Sequence, residues 1–251
     1  MPNDRLRDVL LTRGLTPDDV AERLSVDHKT VERWITLGRT PYPRHRHAIA
    51  AMAGESEAYL WPDALPAQRR AEVAESEIVQ VYPHRANVPA DMWPRMLKSA
   101  ARRVDILVYA GLFLPEQNSQ LLPLLRERAS AGAKARLLLG DPDSAAVAAR
   151  GAEEGIGEAM AGKIRNVLVL YRPIADVPGV EVRLHATTLY NSMYRFDEQM
   201  LVNTHIYGVP ASHAPVLHLR KLSAGDVFDT YADSFERVWA DSRPAWADQA
   251  Q

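Results

Sequence analysis

The sequence predicts a chain with two domains, an all-α domain followed by an α/β domain. Three observations support this prediction. Residues 4–60 carry apolar side chains at helical spacing, two prolines interrupt that pattern between residues 61 and 66, and alternating apolar and amphipathic segments begin at residue 78. Strands that alternate with helices are typical of an α/β sandwich. We expect the domains at residues 1–62 and 78–245, with a linker or connecting helix at 63–77.

Composition limits the classes of protein to consider. Charged residues make up 25% of the 251 residues and hydrophobic residues 47%, which is typical of a globular protein. The absence of cysteine excludes disulfides and thiolate metal sites and is typical of a reducing cytoplasm. The N-terminal residues lack a signal-peptide layout, and no apolar run reaches the ~20 residues of a membrane helix. We therefore expect a cytoplasmic protein without a membrane partner.

Helix start and stop signals divide the first domain. Apolar residues at i, i+3 and i+4 predict a helix over 4–13, which Gly14 ends. Thr16 is a suitable N-cap and Pro17 fits the first turn of a second helix, which reaches Ser25. Asp27 can cap a third helix that Gly38 closes. Further helices are predicted at 44–53 and 56–60.

The second and third helices have the pattern of a helix-turn-helix. Ala21 permits close approach, Val26 fills the turn, and Val31 and Trp34 anchor the third helix. The opposite face carries polar side chains, and this geometry places a helix in the major groove of DNA. Because the net charge is only −2, DNA binding requires a local basic patch. The predicted contacts with double-stranded DNA are His28, Lys29, Thr30, Arg33, Arg39, Arg44 and Arg46.

Basic residues continue beyond the third helix without an intervening acid. No Asp or Glu lies between Glu32 and Glu55, and this interval also contains His45 and His47. Such cations suit phosphate contacts. The alternative interpretation is a solvated basic loop. Residues 15–53 resemble the lambda-repressor-like (Cro/C1, XRE-type) family of transcriptional regulators, which implies operator binding.

The second domain is predicted to alternate strands and helices. Apolar runs bounded by glycine, proline or polar residues predict the strands, and amphipathic segments predict the helices. The predicted strands are 78–82, 104–110, 135–140, 180–190, 193–197, 199–206 and 215–221. The predicted helices are 89–101, 117–131, 143–152, 156–171 and 226–240.

Polar residues at a spacing of two mark three of these strands. The pairs are His185 and Thr187, Arg195 and Asp197, and Asn203 and His205. Residues two apart share one face of a strand, so neighbouring strands would bring these groups into one cleft. Histidines, arginine and asparagine suit an anion, and the aspartate could orient a histidine. Asn191 is a further candidate ligand contact. A single histidine of this kind is also common in purely structural roles.

These residues resemble the phospholipase D-like superfamily, whose motif is His-x-Lys-x4-Asp followed by Gly-Ser-x-Asn. His185 matches the histidine, Thr187 stands in the lysine position, and Ser192 stands in the acid position. Asn203-Thr204-His205 occupies the region of the second part, and the helix ending Phe235-Glu236-Arg237-Val238-Trp239 is also similar. The resemblance covers residues 80–241 and implies an α/β sandwich with a degenerate phosphodiesterase site. Single-motif members of that superfamily pair two copies, which implies a homodimer.

A second ligand-binding segment follows the predicted strand 135–140. Asp141, Asp143 and Ser144 open a helix beyond the carboxyl end of a strand, where open α/β sheets bind ligands. The alternative is a plain turn in which Asp143 is the N-cap. Residues 109–113 end another strand and could line the same pocket, or form core and a glycine turn. No metal site and no cofactor is predicted.

We interpret the chain as a transcriptional regulator that binds double-stranded DNA through its first domain. The second domain would sense a small ligand, with phosphate-containing molecules among the candidates, or form a homodimer. No catalytic residue is expected in this interpretation. The alternative is a phosphodiesterase or nuclease that the helix-turn-helix delivers to DNA, with His185 as nucleophile and His205 as acid. A third alternative is a scaffold that binds another protein.

Overall fold

A computed structural model of the chain describes residues 2–55, 57–61, 64, 77–222 and 225–246. The chain forms two compact units, Met1–Glu77 with Lys221–Thr230, and Ile78–Arg220 with Tyr231–Gln251. Residues 221–230, which we predicted in the second domain, therefore belong to the first unit. The predicted linker or helix at 63–77 lies outside the described residues except for residues 64 and 77.

The first unit is helical, as its apolar periodicity predicts. Thr16 and Asp19 form a reciprocal capping box at the start of the second helix, and Asp27 caps the third by accepting from the backbone N–H of Lys29. Ser25 ends the second helix in the left-handed conformation, with φ of 53°. The helices are α1 Asp4–Thr12, α2 Pro17–Leu24, α3 His28–Thr36, α4 Pro43–Ala53 and α5 Glu57–Leu60.

Apolar residues from these helices form one core. α2 contributes Val20 and Ala21, and α3 contributes Val31, Trp34 and Ile35. Ala21, which is predicted to permit close approach of the helices, is buried in this core, and α2 and α3 contact each other. The remaining buried members are Leu6, Leu10, Ile49, Ala50, Ala53, Leu60 and Trp61.

A mixed sheet organises the second unit. Within the described residues, eight strands lie in the order β1-β7-β6-β5-β2-β3-β4-β8. β2, β3 and β4 are parallel to one another, and the other neighbours are antiparallel. The strands are β1 Ile78–Tyr82, β2 Arg103–Leu107, β3 Lys134–Gly140, β4 Val180–His185, β5 Asn191–Phe196, β6 Gln199–Thr204, β7 Val216–Arg220 and β8 Arg243–Pro244.

Helices follow the parallel strands and cover an apolar face of the sheet. Alternate residues of β2 to β5, such as Ile106, Leu137, Val182 and Tyr194, form a buried core with helical residues. These helices are α6 Met92–Ser99, α7 Phe113–Gln117, α8 Leu121–Ser130, α9 Ala145–Glu153 and α10 Ala159–Tyr171, and a further helix, α11 Val227–Ala240, follows β7. No helix of the described residues is long and apolar enough to span a membrane.

Some predicted boundaries differ from the structure. The predicted helix 117–131 begins later, as α8 at Leu121, because Gln117 is the last residue of α7 and the side chain of Asn118 accepts a hydrogen bond from the backbone of Gln120. The predicted strands 104–110 and 180–190 end at Leu107 and His185, where the sheet pairing stops. β8 was not predicted, since two residues containing a proline carry no strand pattern.

The other face of the sheet carries an ionic cluster of buried Asp105, partly buried Arg136 and exposed Glu236. Asp105 is 1% exposed, and its Oδ1 accepts from Nε of Arg136 at 2.7 Å. The two terminal nitrogens of Arg136 donate to the two oxygens of Glu236, on α11, at 2.8 and 2.7 Å. The guanidinium also lies over the rings of Phe235 and Trp239, 4.7 and 5.1 Å from their centroids. These contacts hold part of α11 against the sheet.

Candidate functional site

The first candidate site is the exposed side of α3. Lys29 and Arg33 lie one turn apart on this helix, and both are exposed. Arg39 and Arg44, just beyond α3, are also exposed. No ion pair involves these four side chains among the described residues. We name these four residues the α3 surface, and their cations are available to an anionic partner.

Other basic residues of this region are engaged within the unit. Arg46 donates to Glu57 at 3.2 Å and to the Pro41 carbonyl at 3.0 Å, so its side chain is mostly buried. His45 is buried beside Trp34, with ring centroids 5.8 Å apart. Arg46 and His45 therefore do not belong to the exposed surface. Thr30 is only partly exposed.

His28 lies between two carboxylates at the start of α3. Its Nδ1 is 2.5 Å from Asp18, and its Nε2 is 3.1 Å from Glu32. The hydrogen bond with Glu32 is the main cause that raises the pKa of His28, and the charge of Asp18 adds to it. The protonated ring neutralises acids beside the α3 surface.

The second candidate site is a cleft in the second unit, at the C-terminal end of β2. Its volume is about 240 Å³. Gly111, with φ of 64°, turns the chain from β2 into α7, where a Cβ would lie only 2.8 Å from Val108. The cleft is lined by residues that include Arg85, Tyr109, Phe113, Glu116, Glu154, Lys163, Ser192, Tyr194 and His205.

His205 has a defined tautomer in this cleft. Its Nδ1 is 3.2 Å from the carbonyl oxygen of Leu189, which can only accept, so Nδ1 carries the proton. Its Nε2 is therefore an acceptor and lies 3.0 Å from Oγ of Ser192, which donates to it. The ring of Tyr109 stacks on His205 at 5.6 Å, and its hydroxyl accepts from the N–H of Leu189. The imidazole is thus held on three sides.

Arg85 lines the same cleft. Its guanidinium lies 3.9 Å from the centre of the Phe113 ring and interacts with the hydroxyl of Tyr194. Tyr194 interacts in turn with Ser192. Arg85, Tyr194, Ser192 and His205 therefore form a continuous polar row along one wall.

Positive charge surrounds His205. Arg150 is 4% exposed and donates to the carbonyls of Ile206 and Val209 at 3.4 and 3.0 Å, which holds the loop after His205. Burial lowers the pKa of His205 to about 4, and the charges of Arg150 and Arg85 add to this effect. The ring is neutral at pH 7.

His185 lies behind Tyr109 and is 2% exposed. The two ring centroids are 5.9 Å apart. The backbone N–H of Thr187 donates to Nδ1 of His185 at 3.3 Å, so the proton is on Nε2, which donates to the Val108 carbonyl at 3.1 Å. Burial lowers the pKa of His185. Both ring nitrogens are therefore occupied within the fold, while Thr187 is exposed to solvent.

The prediction that Arg195 and Asp197 join this cleft is wrong. Ser192 and Tyr194 line the cleft, so Arg195 points to the opposite face of β5, where Nη1 is 3.9 Å from Asp105. Asp197, in the turn after β5, accepts from the backbone N–H groups of residues 101, 102 and 103. The sequence predicts which residues share one face of a strand. It does not predict the register between neighbouring strands, which decides whether that face lines the cleft.

Asn203 lies on the cleft side of β6 and is fully buried. It pairs with Ser192 in the strand register, and its Nδ2 donates to the carbonyls of Ala214 and Pro215 at 3.3 and 3.1 Å. This arrangement is structural, because the amide ties β6 to the segment before β7. Asn191 is half-buried at the start of β5. Because it is adjacent to Ser192 in the strand, its side chain lies on the opposite face.

Asp141, Asp143 and Ser144 lie away from the cleft. Oδ2 of Asp141 is 2.8 Å from Arg243, and Oδ1 of Asp143 is 2.8 Å from Arg165. Ser144, rather than Asp143, is the N-cap of α9. The three side chains therefore stabilise a turn through partners within the fold. No cluster of three metal-ligating side chains occurs in the part of the chain that the structure describes.

Sequence reasoning missed most of the cleft. Arg85 belongs to no recognisable motif. Glu154, just after α9, and Lys163, on α10, have the pattern of an ordinary helix surface. The sequence did give a reason to consider Ser192. It stands in the acid position of the phospholipase D-like motif, and it lies two residues before Tyr194, on the same face of the strand. Residues 109–113 line the cleft, although the sequence suggested them for a pocket shared with Asp141, Asp143 and Ser144, with core and a glycine turn as the alternative.

Solved structures similar to this chain include an archaeal chromatin protein and a phospholipase D family member. TrmBL2, described as an archaeal chromatin protein with a novel mode of DNA binding, is 14% identical with a TM-score of 0.42, and the match covers 71% of this chain and 59% of TrmBL2. Nuc from Salmonella typhimurium, described as a phospholipase D family member, is 10% identical with a TM-score of 0.37 and coverage of 62% and 90%. NucT from Helicobacter pylori is 9% identical with a TM-score of 0.42 and coverage of 66% and 96%.

The chain spans less than two thirds of the length of TrmBL2. No curated protein matches the sequence. Residues 75–246, more than half of the chain, match the family described as "Domain of unknown function (DUF5919)". The chain therefore belongs to the DUF5919 family.

Proposed function

We propose that this protein is a transcriptional regulator that binds double-stranded DNA with α3 and recognises a small molecule in the cleft. The observation that carries the proposal is the α2–α3 pair, with its left-handed turn at Ser25, its buried apolar side and the exposed Lys29 and Arg33. A helix presented in this way fits the major groove, and the flanking Arg39 and Arg44 suit backbone phosphates.

The finer features of the proposal are an XRE-type first domain, a cytoplasmic location and a homodimer. A two-fold dimer would present two α3 helices to half-sites one helical turn apart, about 34–36 Å. Dimerisation doubles the phosphate contacts, which matters because the whole chain has a net charge of only −2. The ligand would then change the affinity for DNA by binding one DNA-binding state better than the other.

The direct test is selection of genomic fragments by the purified full-length chain, followed by footprinting of the enriched sequences. We expect a short protected site with two-fold symmetry, and affinity that falls steeply as salt rises. Protection without sequence preference would contradict a regulator that binds specific operators. No enrichment over a scrambled-sequence pool at low salt would contradict DNA binding itself.

We expect negligible phosphodiesterase turnover, for a geometric reason. The histidine that would attack phosphorus, His185, is buried and has both nitrogens in hydrogen bonds, and Thr187 offers no positive charge. A missing preorganised donor typically lowers a rate by ~10²–10³. Hydrolysis of bis-p-nitrophenyl phosphate and of single- and double-stranded DNA is the measurement.

The variants His185→Ala and His205→Asn separate the two outcomes. Both should leave any background hydrolysis unchanged. Turnover by the unmodified chain that disappears in His185→Ala would contradict the proposal and favour the phosphodiesterase alternative. Because His185 is buried, circular dichroism must show that the variant is folded.

The pH dependence of DNA binding should follow His28. Glu32 and Asp18 raise the pKa of His28 in the folded chain. The protonated ring therefore stabilises the folded state fully below the ordinary histidine pKa of about 6.5, and this stabilisation is lost as pH rises through the raised pKa of His28. Deprotonation restores uncompensated negative charge beside the α3 surface. We therefore expect DNA affinity at constant salt to fall as pH rises from 6 to above the raised pKa.

The control for this prediction is His28→Asn, which removes the titrating group. Its affinity should vary less over the same pH range. An identical pH profile in the two proteins would show that another group controls the dependence.

A further inference from the structure

One wall of the cleft presents hydrogen-bonding groups that suit an anion. The N–H groups of Arg85 lie in the plane of the guanidinium, so the Phe113 ring over its face leaves the donating edges open, and the Tyr194 hydroxyl interacts with this group. Ser192 and His205 continue the row at 3.0 Å from each other. A guanidinium edge binds carboxylate, sulfonate and phosphate oxygens in a planar geometry.

The charges around this wall differ in how far they are compensated. Arg150 is paired with Glu154 at 2.7 Å and Glu153 at 3.3 Å. Among the described residues, neither Arg85 nor Lys163 forms an ion pair. The charged and titratable groups that face His205 or line its cleft are Arg85, Tyr109, Glu116, Arg150, Glu153, Glu154, Lys163, His185 and Tyr194.

Two arginines oppose protonation of His205. The charges of Arg150 and Arg85 both disfavour a positive ring, although Glu153 and Glu154 partly compensate the charge of Arg150. An anion placed beside Arg85 would offset them and stabilise a protonated ring. The acceptor lone pair on Nε2, now used by Ser192, would take that proton, and the ring would then donate from both nitrogens.

We propose that the cleft binds a small organic anion, carrying a carboxylate, sulfonate or phosphate group, between Arg85 and the Ser192–His205 pair, and that His205 takes up one proton as the anion binds. This inference rests on the proposed ligand recognition and specifies its chemistry. The proton comes from solvent, moves to Nε2 of His205 and leaves no covalent change in the ligand. Ser192 then rotates its hydroxyl toward the anion.

The proposal predicts a particular dependence of affinity on pH. Free His205 stays neutral down to a pKa of about 4, and the bound anion raises that pKa. Affinity is level above the raised pKa and increases as pH falls below it, by up to about tenfold per pH unit. Between pH 7 and pH 5 we expect a gain of roughly tenfold.

Benzenesulfonate is the probe for this test, because it remains ionised across the range and does not titrate itself. Isothermal calorimetry of the full-length protein in two buffers with different ionisation enthalpies gives the number of protons taken up. We expect an uptake that approaches one proton near pH 5. Benzenesulfonamide, a neutral analogue of the same shape, should bind at least tenfold more weakly.

Three variants locate the site. Arg85→Gln should weaken benzenesulfonate binding at least tenfold, and His205→Asn should abolish proton uptake. Ser192→Ala leaves both charged groups in place, so it should keep the proton uptake and lose affinity only severalfold. Arg237→Gln is the matched control, because Arg237 is exposed on α11 and does not line the cleft.

The outcomes separate this proposal from the proposed function. Equal binding of benzenesulfonamide, or binding without a pH dependence, would overturn proton-coupled anion recognition. Failure of benzenesulfonate, benzoate and phenyl phosphate to bind a protein that still binds DNA would overturn the anion site and leave the DNA-binding proposal standing. Anion binding with proton uptake in a protein that binds no DNA would overturn only the regulator.

Discussion

The triple variant Lys29→Ala, Arg33→Ala, Arg44→Ala is expected to lose at least about 100-fold in affinity for the selected DNA. A specific base contact contributes ~1–3 kcal/mol, so Lys29 and Arg33 account for about 2 kcal/mol at the low end, and loss of the charged phosphate contact of Arg44 brings the total to about 3 kcal/mol, or roughly 100-fold. These side chains are exposed, so their removal should leave the fold unchanged. Binding titrations at several salt concentrations are the measurement, and the salt slope should become shallower.

A control of equal charge distinguishes local contact from a general effect. Lys98→Ala, Lys134→Ala, Arg237→Ala also removes three exposed positive charges, all from the second unit. We expect this variant to bind within a few-fold of the unmodified chain. Equal losses in the two triple variants would mean that overall charge, and not α3, determines binding. Intact binding by the first variant would exclude α3 as the element that contacts DNA.

Arg136→Met is expected to destabilise the second unit by about 3–5 kcal/mol, the usual cost of leaving one partner of a buried ion pair unpaired. Asp105 would remain 1% exposed with Arg103 and Arg195 no closer than 3.9 Å. The contacts of Arg136 with Phe235 and Trp239 would also be lost. Urea unfolding followed by circular dichroism measures the change.

The double variant Asp105→Asn, Arg136→Met tests the reason for this loss. Removing the charge of Asp105 should recover a large part of the stability, because no uncompensated carboxylate remains. Glu236→Gln should cost much less, since that carboxylate is 45% exposed and water can solvate it. A double variant no more stable than Arg136→Met would show that packing against Phe235 and Trp239, and not the ion pair, is the main contribution.

The helices of the first unit were predictable because their signals are local. Thr16 and Asp27 cap helices through bonds that span two or three residues, and Ser25 marks the turn. What the sequence did not show was which basic residues have internal partners. Arg46 and Glu57 are eleven residues apart and belong to different helices, so no periodicity links them.

The cleft was harder to predict because it depends on contacts between distant segments. The spacing of Arg195 and Asp197 indicated one shared face, but only the β2–β5–β6 register decides which face that is. Arg85 meets Tyr194 more than a hundred residues later in the chain, and nothing in the sequence indicates this proximity. His205 was identified, whereas the serine that completes its hydrogen bonding was noted only as a motif substitution.

The pairing of β1 with β7 has a consequence for synthesis on the ribosome. Tyr82 pairs with Val216, so 134 residues must be added before the first strand finds its partner. At about 5–20 residues per second this takes roughly 7–27 s. Among the described residues, the core of α1 to α5 involves none later than Ala64, so these residues are all synthesised before that interval begins. A nascent chain thus carries a folded helical segment while its first strand still has an open edge, and we expect chaperones to engage it at that stage.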